Sequence, residues 1–156
     1  MSLMNTITRR FEFDSGHRIP HHGGQCAHLH GHRYALEITL AGAVLRNPGA
    51  ADDGMVLDFG DVKRLAHAHL VDLWDHAFLV AKEDQPVVTF LASMPNHKTV
   101  ILDDVPTVEN LARQAFQILE PIFKNAFKGR LTLAAIRLYE TPNCWADVFS
   151  ADVVTV

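Results

Sequence analysis

Cysteine is scarce in this chain of 156 residues: only Cys26 and Cys144 are present, too few for the disulfide framework of a small secreted domain. Long apolar runs are missing as well, so no segment reaches the length of a membrane span. Met1 to Arg10 lack the basic-then-apolar order of a secretion signal, and a cytoplasmic location is expected. Positive charge is not in surplus either. Fourteen Lys and Arg stand against eighteen Asp and Glu, a net charge of −4, so the chain as a whole does not attract nucleic acid or anionic lipid. No His-Glu-x-x-His is present, which removes the base of a zinc peptidase. What remains is ordinary globular material, 48% hydrophobic and 21% charged, of a length that suits one domain over 1–156.

One residue is abundant. The chain has ten histidines, and six of them, His17, His21, His22, His28, His30 and His32, crowd into one short stretch. The residues around them alternate. Ile7, Phe11 and Phe13 take turns with Thr8, Arg10 and Glu12, which predicts a half-buried strand; Tyr34, Leu36, Ile38 and Leu40 do the same more cleanly after Arg33. Met55-Val56-Leu57 reads as a short return strand after the turn residues Asp52-Asp53-Gly54. Asp58 can cap a first helix with Val62, Leu65, Ala66, His69, Leu70 and Leu73 on one face, and Thr107 a second running through Phe123, its last turn kinked or shortened by Pro121. Between them, Lys82 to Val105 holds a short helix or strand pair around Pro95-Asn96-His97-Lys98. Leu131–Glu140 and Trp145–Val154 close the chain as a hairpin about Thr141-Pro142-Asn143. These elements predict an α+β domain, an antiparallel four-stranded sheet with two main helices on one face.

His30 and His32 start the better strand two residues apart, so both imidazoles point to the Tyr34 face, with Cα atoms roughly 6.5 Å apart. Imidazoles on a buried face need hydrogen-bond partners or a metal. His17 shares the parity of Phe11 and Phe13 and faces inward if the two strands pair, although spacing alone leaves His21, His22 and His28 as rivals for a third ligand position. Three imidazoles about a Zn²⁺ leave the fourth position that a catalytic site keeps open. Gly31, between the two histidines, permits close approach of a backbone or ligand. Cys26, four residues before His30, can serve as base, nucleophile or fourth ligand, whereas Cys144 reads as an inert buried thiol. Asp75-His76 is a carboxylate–imidazole pair of a kind that also arises by chance. Glu140, ending an apolar strand, is either half-buried and poised to bind something or merely solvated.

The motifs Phe11-Glu-Phe-Asp-Ser-Gly-His17, Cys26-Ala-His-Leu-His30-Gly-His32, Leu73-Trp-Asp75-His76, Pro106-Thr107-Val-Glu109-Asn-Leu111 and Tyr139-Glu140-Thr-Pro142 together resemble the family of 6-pyruvoyl- and 6-carboxy-tetrahydropterin synthases, in order and over nearly the whole chain. The resemblance implies a tunnelling fold (T-fold), whose subunits join their sheets around a channel, usually as a homohexamer built from two trimers. It implies Zn²⁺ on His17, His30 and His32, a catalytic thiol at Cys26, a catalytic pair at Asp75 and His76, and a pterin anchor at Glu140, with Thr107 and Glu109 near the pterin. The substrate it implies is a pterin triphosphate, 7,8-dihydroneopterin triphosphate. The three-residue gap between Cys26 and His30 resembles the carboxy-forming branch, a lyase on the route to the 7-deazaguanine of queuosine. The pyruvoyl-forming activity, or a non-catalytic zinc-stabilised pterin-binding domain, stands as the alternative.

Overall fold

The computed structural model describes residues 3–151. Two strands of unusual length form the centre: β1 (Asn5–His17) and β2 (His30–Gly42) pair antiparallel over their whole lengths, from Asn5 opposite Gly42 to His17 opposite His30. The chain continues through α1 (Phe59–Ala66), a five-residue π turn (His67–Val71), α2 (Asp72–Trp74), β3 (Ala77–Ala81), α3 (Gln85–Ala92), β4 (Thr99–Leu102), α4 (Val108–Ala126), β5 (Thr132–Thr141) and β6 (Cys144–Phe149). The sheet has the order β4-β3-β1-β2-β5-β6.

The expectation of four antiparallel strands is therefore corrected to six in a mixed sheet. β3 adds to β1, and β4 to β3, in parallel. These two strands are short, and β3 is buried on nearly every residue, so its sequence carries no alternation to read. Met55-Val56-Leu57 is no strand. Leu45 and Gly54 exchange two hydrogen bonds with their opposite numbers, Leu45 N–H to Met55 C=O at 2.8 Å and Gly54 N–H to Leu45 C=O at 2.9 Å, and the pairing stops there. The uncertain stretch resolves into one helix, α3, and one strand, β4. The last strand ends at Phe149, and its expected extension past Ala151 lies outside the described residues.

Both predicted caps are in place. The Asp58 carboxylate accepts from Gly60 N–H, and the Thr107 hydroxyl from Asn110 N–H at 3.2 Å. Pro121 lies on the exposed face of α4, and the helix runs on to Ala126 without shortening. From α1 through the π turn to α2 the buried face is Val62, Leu65, Ala66, Leu70, Val71 and Trp74, while Leu73 is exposed. The π turn inserts the extra residue that moves the apolar face by one position, taking Leu73 out and Trp74 in. Leu111, Ala112, Ala115, Leu119 and Phe123 form the α4 stripe; with α1 it covers the sheet face bearing Phe11, Phe13, Tyr34, Leu36, Ile38, Ile136 and Leu138. Each such large side chain contributes about 1.5–3 kcal/mol by leaving water. α3 packs on the other side of β3, where Val80 meets Val87 and Leu91. Among the described residues no helix is long and apolar enough to cross a membrane.

Candidate active site

The β1–β2 register does most of the assembly. His17 stands directly opposite His30, and Ser15 opposite His32, so three inward-facing positions at one end of the sheet carry imidazoles. Their ring centroids lie 4.6, 5.0 and 4.9 Å apart for the pairs His17–His30, His17–His32 and His30–His32. The strands can approach this closely because residue 31 is glycine. A Cβ there would sit 2.9 Å from the Ser15 carbonyl oxygen, a backbone clash that only glycine avoids.

Hydrogen bonds then fix which ring nitrogens carry protons. A carbonyl oxygen can only accept, so His17 Nδ1, 2.8 Å from Pro106 C=O, donates, and His30 Nδ1, 2.7 Å from His28 C=O, donates too. With a proton on each Nδ1, the two rings turn their Nε2 atoms toward one another at 3.0 Å. His32 Nε2 is buried and has no hydrogen-bond partner among the described residues. Burial lowers the pKa of His17 to about 4 and moves that of His32 in the same direction, so both rings are neutral at pH 7. Three converging ring nitrogens, all within 4.8 Å of one another and one of them, His32 Nε2, buried without a partner among the described residues, form a donor set suited to a divalent ion such as Zn²⁺. The rivals do not join it: His21, His22 and His28 belong to no compact donor group among the described residues, and His22 Nδ1 accepts instead from Gly24 N–H at 2.9 Å.

Cys26 is half-buried and lines a cavity of about 490 Å³ together with Gln25, His28, His30 and His32. It stands beside the donor set without belonging to it. Glu140 ends β5 with its carboxylate oxygens 4.0 Å from His17 Nε2 and 3.7 Å from His32 Nε2, half-buried as one of its two sequence readings had it. It also lines a second cavity with Arg10, Arg33 and Tyr139. Cys144, expected to be a buried thiol, is exposed, because it opens β6 at the tip of the hairpin.

The Asp75–His76 pair is brought to this end of the sheet by the parallel strand, which places Ala77 beside Ser15. His76 Nδ1 lies 3.0 Å from the Asp75 carboxylate, and Asp14 holds both residues by its main chain: its N–H donates to Asp75 at 3.0 Å and its C=O accepts from His76 N–H at 2.7 Å. That N–H, and then the neighbouring imidazole, hold the Asp75 carboxyl below the usual range. His76 has φ of 58°, a left-handed conformation rare outside glycine and frequent where function fixes a side chain. Its exposed ring opens onto a cavity of about 560 Å³ shared with Asp14, His32, Arg33, Phe78 and His97. His32 thus borders both the Cys26 and the His76 cavities, and neither of those two cavities is lined by both residues. Thr107 caps α4 and Glu109 is exposed on its first turn; neither lines these cavities.

Sequence reading missed the groups behind the ligands. Tyr34 is buried with its hydroxyl 3.2 Å from His17 Nδ1, and burial pushes its pKa far up, so it stays protonated. Its parity marked it as a core residue and nothing more. The carbonyls of Pro106 and His28 have no sequence signal at all.

With this geometry in hand the chain can be compared with known proteins. The sequence profile of 6-pyruvoyl tetrahydropterin synthase matches residues 6–151, and the chain belongs to that family. Within it, the chain is 38% identical over 146 residues to the 6-carboxy-5,6,7,8-tetrahydropterin synthase of Rickettsia bellii, covering 93% of this chain and all of that one. It is 32% identical over 146 residues to the protein of the same name from Haemophilus influenzae, covering 92% and 98%. Among solved structures, the 6-pyruvoyl tetrahydropterin synthase of Caenorhabditis elegans superposes with a TM-score of 0.66 at 25% identity, covering 96% of this chain and 98% of the other. An uncharacterised protein from Wolinella succinogenes shares the fold with a TM-score of 0.76 at 20% identity, over 96% and 99%.

Proposed function

We propose that this protein is a zinc-dependent lyase that converts 7,8-dihydroneopterin triphosphate and water into 6-carboxy-5,6,7,8-tetrahydropterin, acetaldehyde and triphosphate, in the cytoplasm and on the route to queuosine. The observation that carries the metal part is the convergence of ring nitrogens from His17, His30 and His32, with His32 Nε2 buried and unpartnered among the described residues. The names of the relatives from Rickettsia bellii and Haemophilus influenzae support the choice of product. When bound, Zn²⁺ supplies Lewis acidity that acidifies hydroxyl groups of the substrate side chain. Cys26 takes a proton from a side-chain carbon, and His76 delivers or removes one on the opposite side, its ring oriented by Asp75. Glu140 accepts paired hydrogen bonds from the guanidine-like edge of the pterin and so fixes the ring relative to the histidines.

Within one subunit Cys26 and His76 line different cavities, a separation that favours a shared site in which Asp75 and His76 of one copy complete the histidine centre of the next. The same arrangement brings in Thr107 and Glu109 at the pterin end. β4 and β6 are the sheet's edges, and joining edges between copies satisfies the backbone groups they leave unpaired. A homohexamer, or a trimer as its half, is expected by light scattering; a fully active monomer at working concentration would contradict the shared site.

The pyruvoyl-forming reaction on the same substrate is the second reading, favoured by the name of the Caenorhabditis elegans structure. The two reactions begin with the same proton movements, so Cys26, Asp75, His76 and Glu140 do not discriminate between them. Products do. Anaerobic incubation of the pure protein with dihydroneopterin triphosphate is expected to release acetaldehyde together with triphosphate. Triphosphate without acetaldehyde selects the pyruvoyl reaction, and release of neither selects a non-catalytic, zinc-stabilised pterin-binding domain.

A further inference from the structure

The residue after His17 carries an ion pair that the functional reading does not use. Arg18 donates through Nε to Asp84 Oδ2 at 2.6 Å and through a terminal nitrogen to Oδ1 at 2.5 Å, a two-pronged contact. Asp84 is buried at 5% exposure, a cost that an aspartate seldom bears without a partner. It immediately precedes α3, where an aspartate ordinarily caps the helix through its side chain. Here the side chain makes no such bond, and the carboxylate points to Arg18 instead. Parallel pairing of β1 with β3 explains how the two meet, since both residues follow the same ends of neighbouring strands.

From Arg18 the connection runs through the next residue to the Cys26 main chain. Ile19 N–H donates to the Cys26 carbonyl at 2.7 Å, closing the loop between β1 and β2 on itself. His22 N–H returns to the Ile19 carbonyl at 3.2 Å. Residues 21–25 are exposed, and His21 sits in the left-handed region at φ 67°, so apolar packing holds this loop only weakly. The position of the Cys26 main chain therefore depends on where Ile19 is held, and Arg18 holds it. His17 needs no such help: it is fixed by pairing with His30 and Leu79 and by the Pro106 carbonyl.

We propose that the Arg18–Asp84 pair is a positioning device for the Cys26 thiol, acting through Ile19 and leaving the histidine centre untouched. The idea rests on the reading of Cys26 as the reacting thiol, but its test does not depend on turnover. Asp84→Asn in the zinc-loaded protein keeps the size of the side chain and removes the charge that orients the guanidinium. Alkylation by iodoacetamide, followed by mass spectrometry of the two cysteine peptides, compares Cys26 with Cys144, which is exposed where β6 begins, takes no part in the Arg18–Asp84 contact, and serves as the internal standard. Cys26 should react roughly threefold faster or more, as its loop loosens and access improves, with Cys144 and zinc content unchanged. In the same variant kcat should fall roughly tenfold, because misplacing a catalytic group by about 1 Å costs up to 10²-fold. An unaltered Cys26-to-Cys144 ratio in a folded variant overturns the proposal, and so does loss of zinc. If Asp84→Asn yields too little folded protein, Arg18→Lys keeps the charge but not the fork, and the same rise in the ratio is expected of it. A fully active Cys26→Ala protein would instead remove the thiol from the reaction while leaving the alkylation result to judge the clamp.

Discussion

Alanine in place of His30 or of His32 is expected to abolish stoichiometric zinc binding. His17 keeps its tautomer in both variants, set by the Pro106 carbonyl, but two imidazoles do not make a closed donor set. Loss of an outer partner of a metal site already costs roughly 10–100-fold in affinity, and loss of a ligand costs more. Metal analysis of each purified variant after dialysis reads the result directly. Full zinc in both would sink the assignment and point instead to the Asp14–Asp75–His76 group, the other compact donor cluster among the described residues.

Cys26→Ala should separate binding from chemistry. The thiol lies beside the three nitrogens in the cavity lined by His28, His30 and His32 and stands outside the compact donor set, so zinc should stay. Turnover should fall roughly a hundredfold or more, within the 10²–10⁴ that one proton-transfer group supplies. Zinc analysis and steady-state rates on one preparation decide between the two roles. Departure of the metal with the thiol would make Cys26 a ligand and end the acid–base account of it.

Much of this site could be read from the chain because strands repeat every two residues. His-x-His before Tyr34, Leu36 and Ile38 has one geometric meaning, and the long β1–β2 ladder honours it by setting His17 against His30. Asp58 and Thr107 were legible for a similar reason: an oxygen-bearing side chain ahead of an apolar stripe has a local task. Where the reading failed, the deciding contact was distant or made by the main chain. Ala77–Ala81 is buried on both faces, so its strand shows no alternation, and the parallel partner that defines it lies some sixty residues earlier. The π turn after Ala66 shifts the helix face from Leu73 to Trp74 by a change of one residue, which a fixed helical period cannot register. The Cys144 exposure follows from the hairpin tip, whose position depends on where β5 stops.

Two of the three imidazoles are aimed by carbonyl groups, those of Pro106 and His28. A carbonyl is present whatever side chain its residue bears. Drift at positions 28 and 106 can therefore proceed without unsetting the rings, provided the chain keeps its path. The aim of these ligands is in that sense inherited with the backbone trace rather than with the letters, and a designer moving this centre to another scaffold would have to transplant two peptide groups along with three histidines.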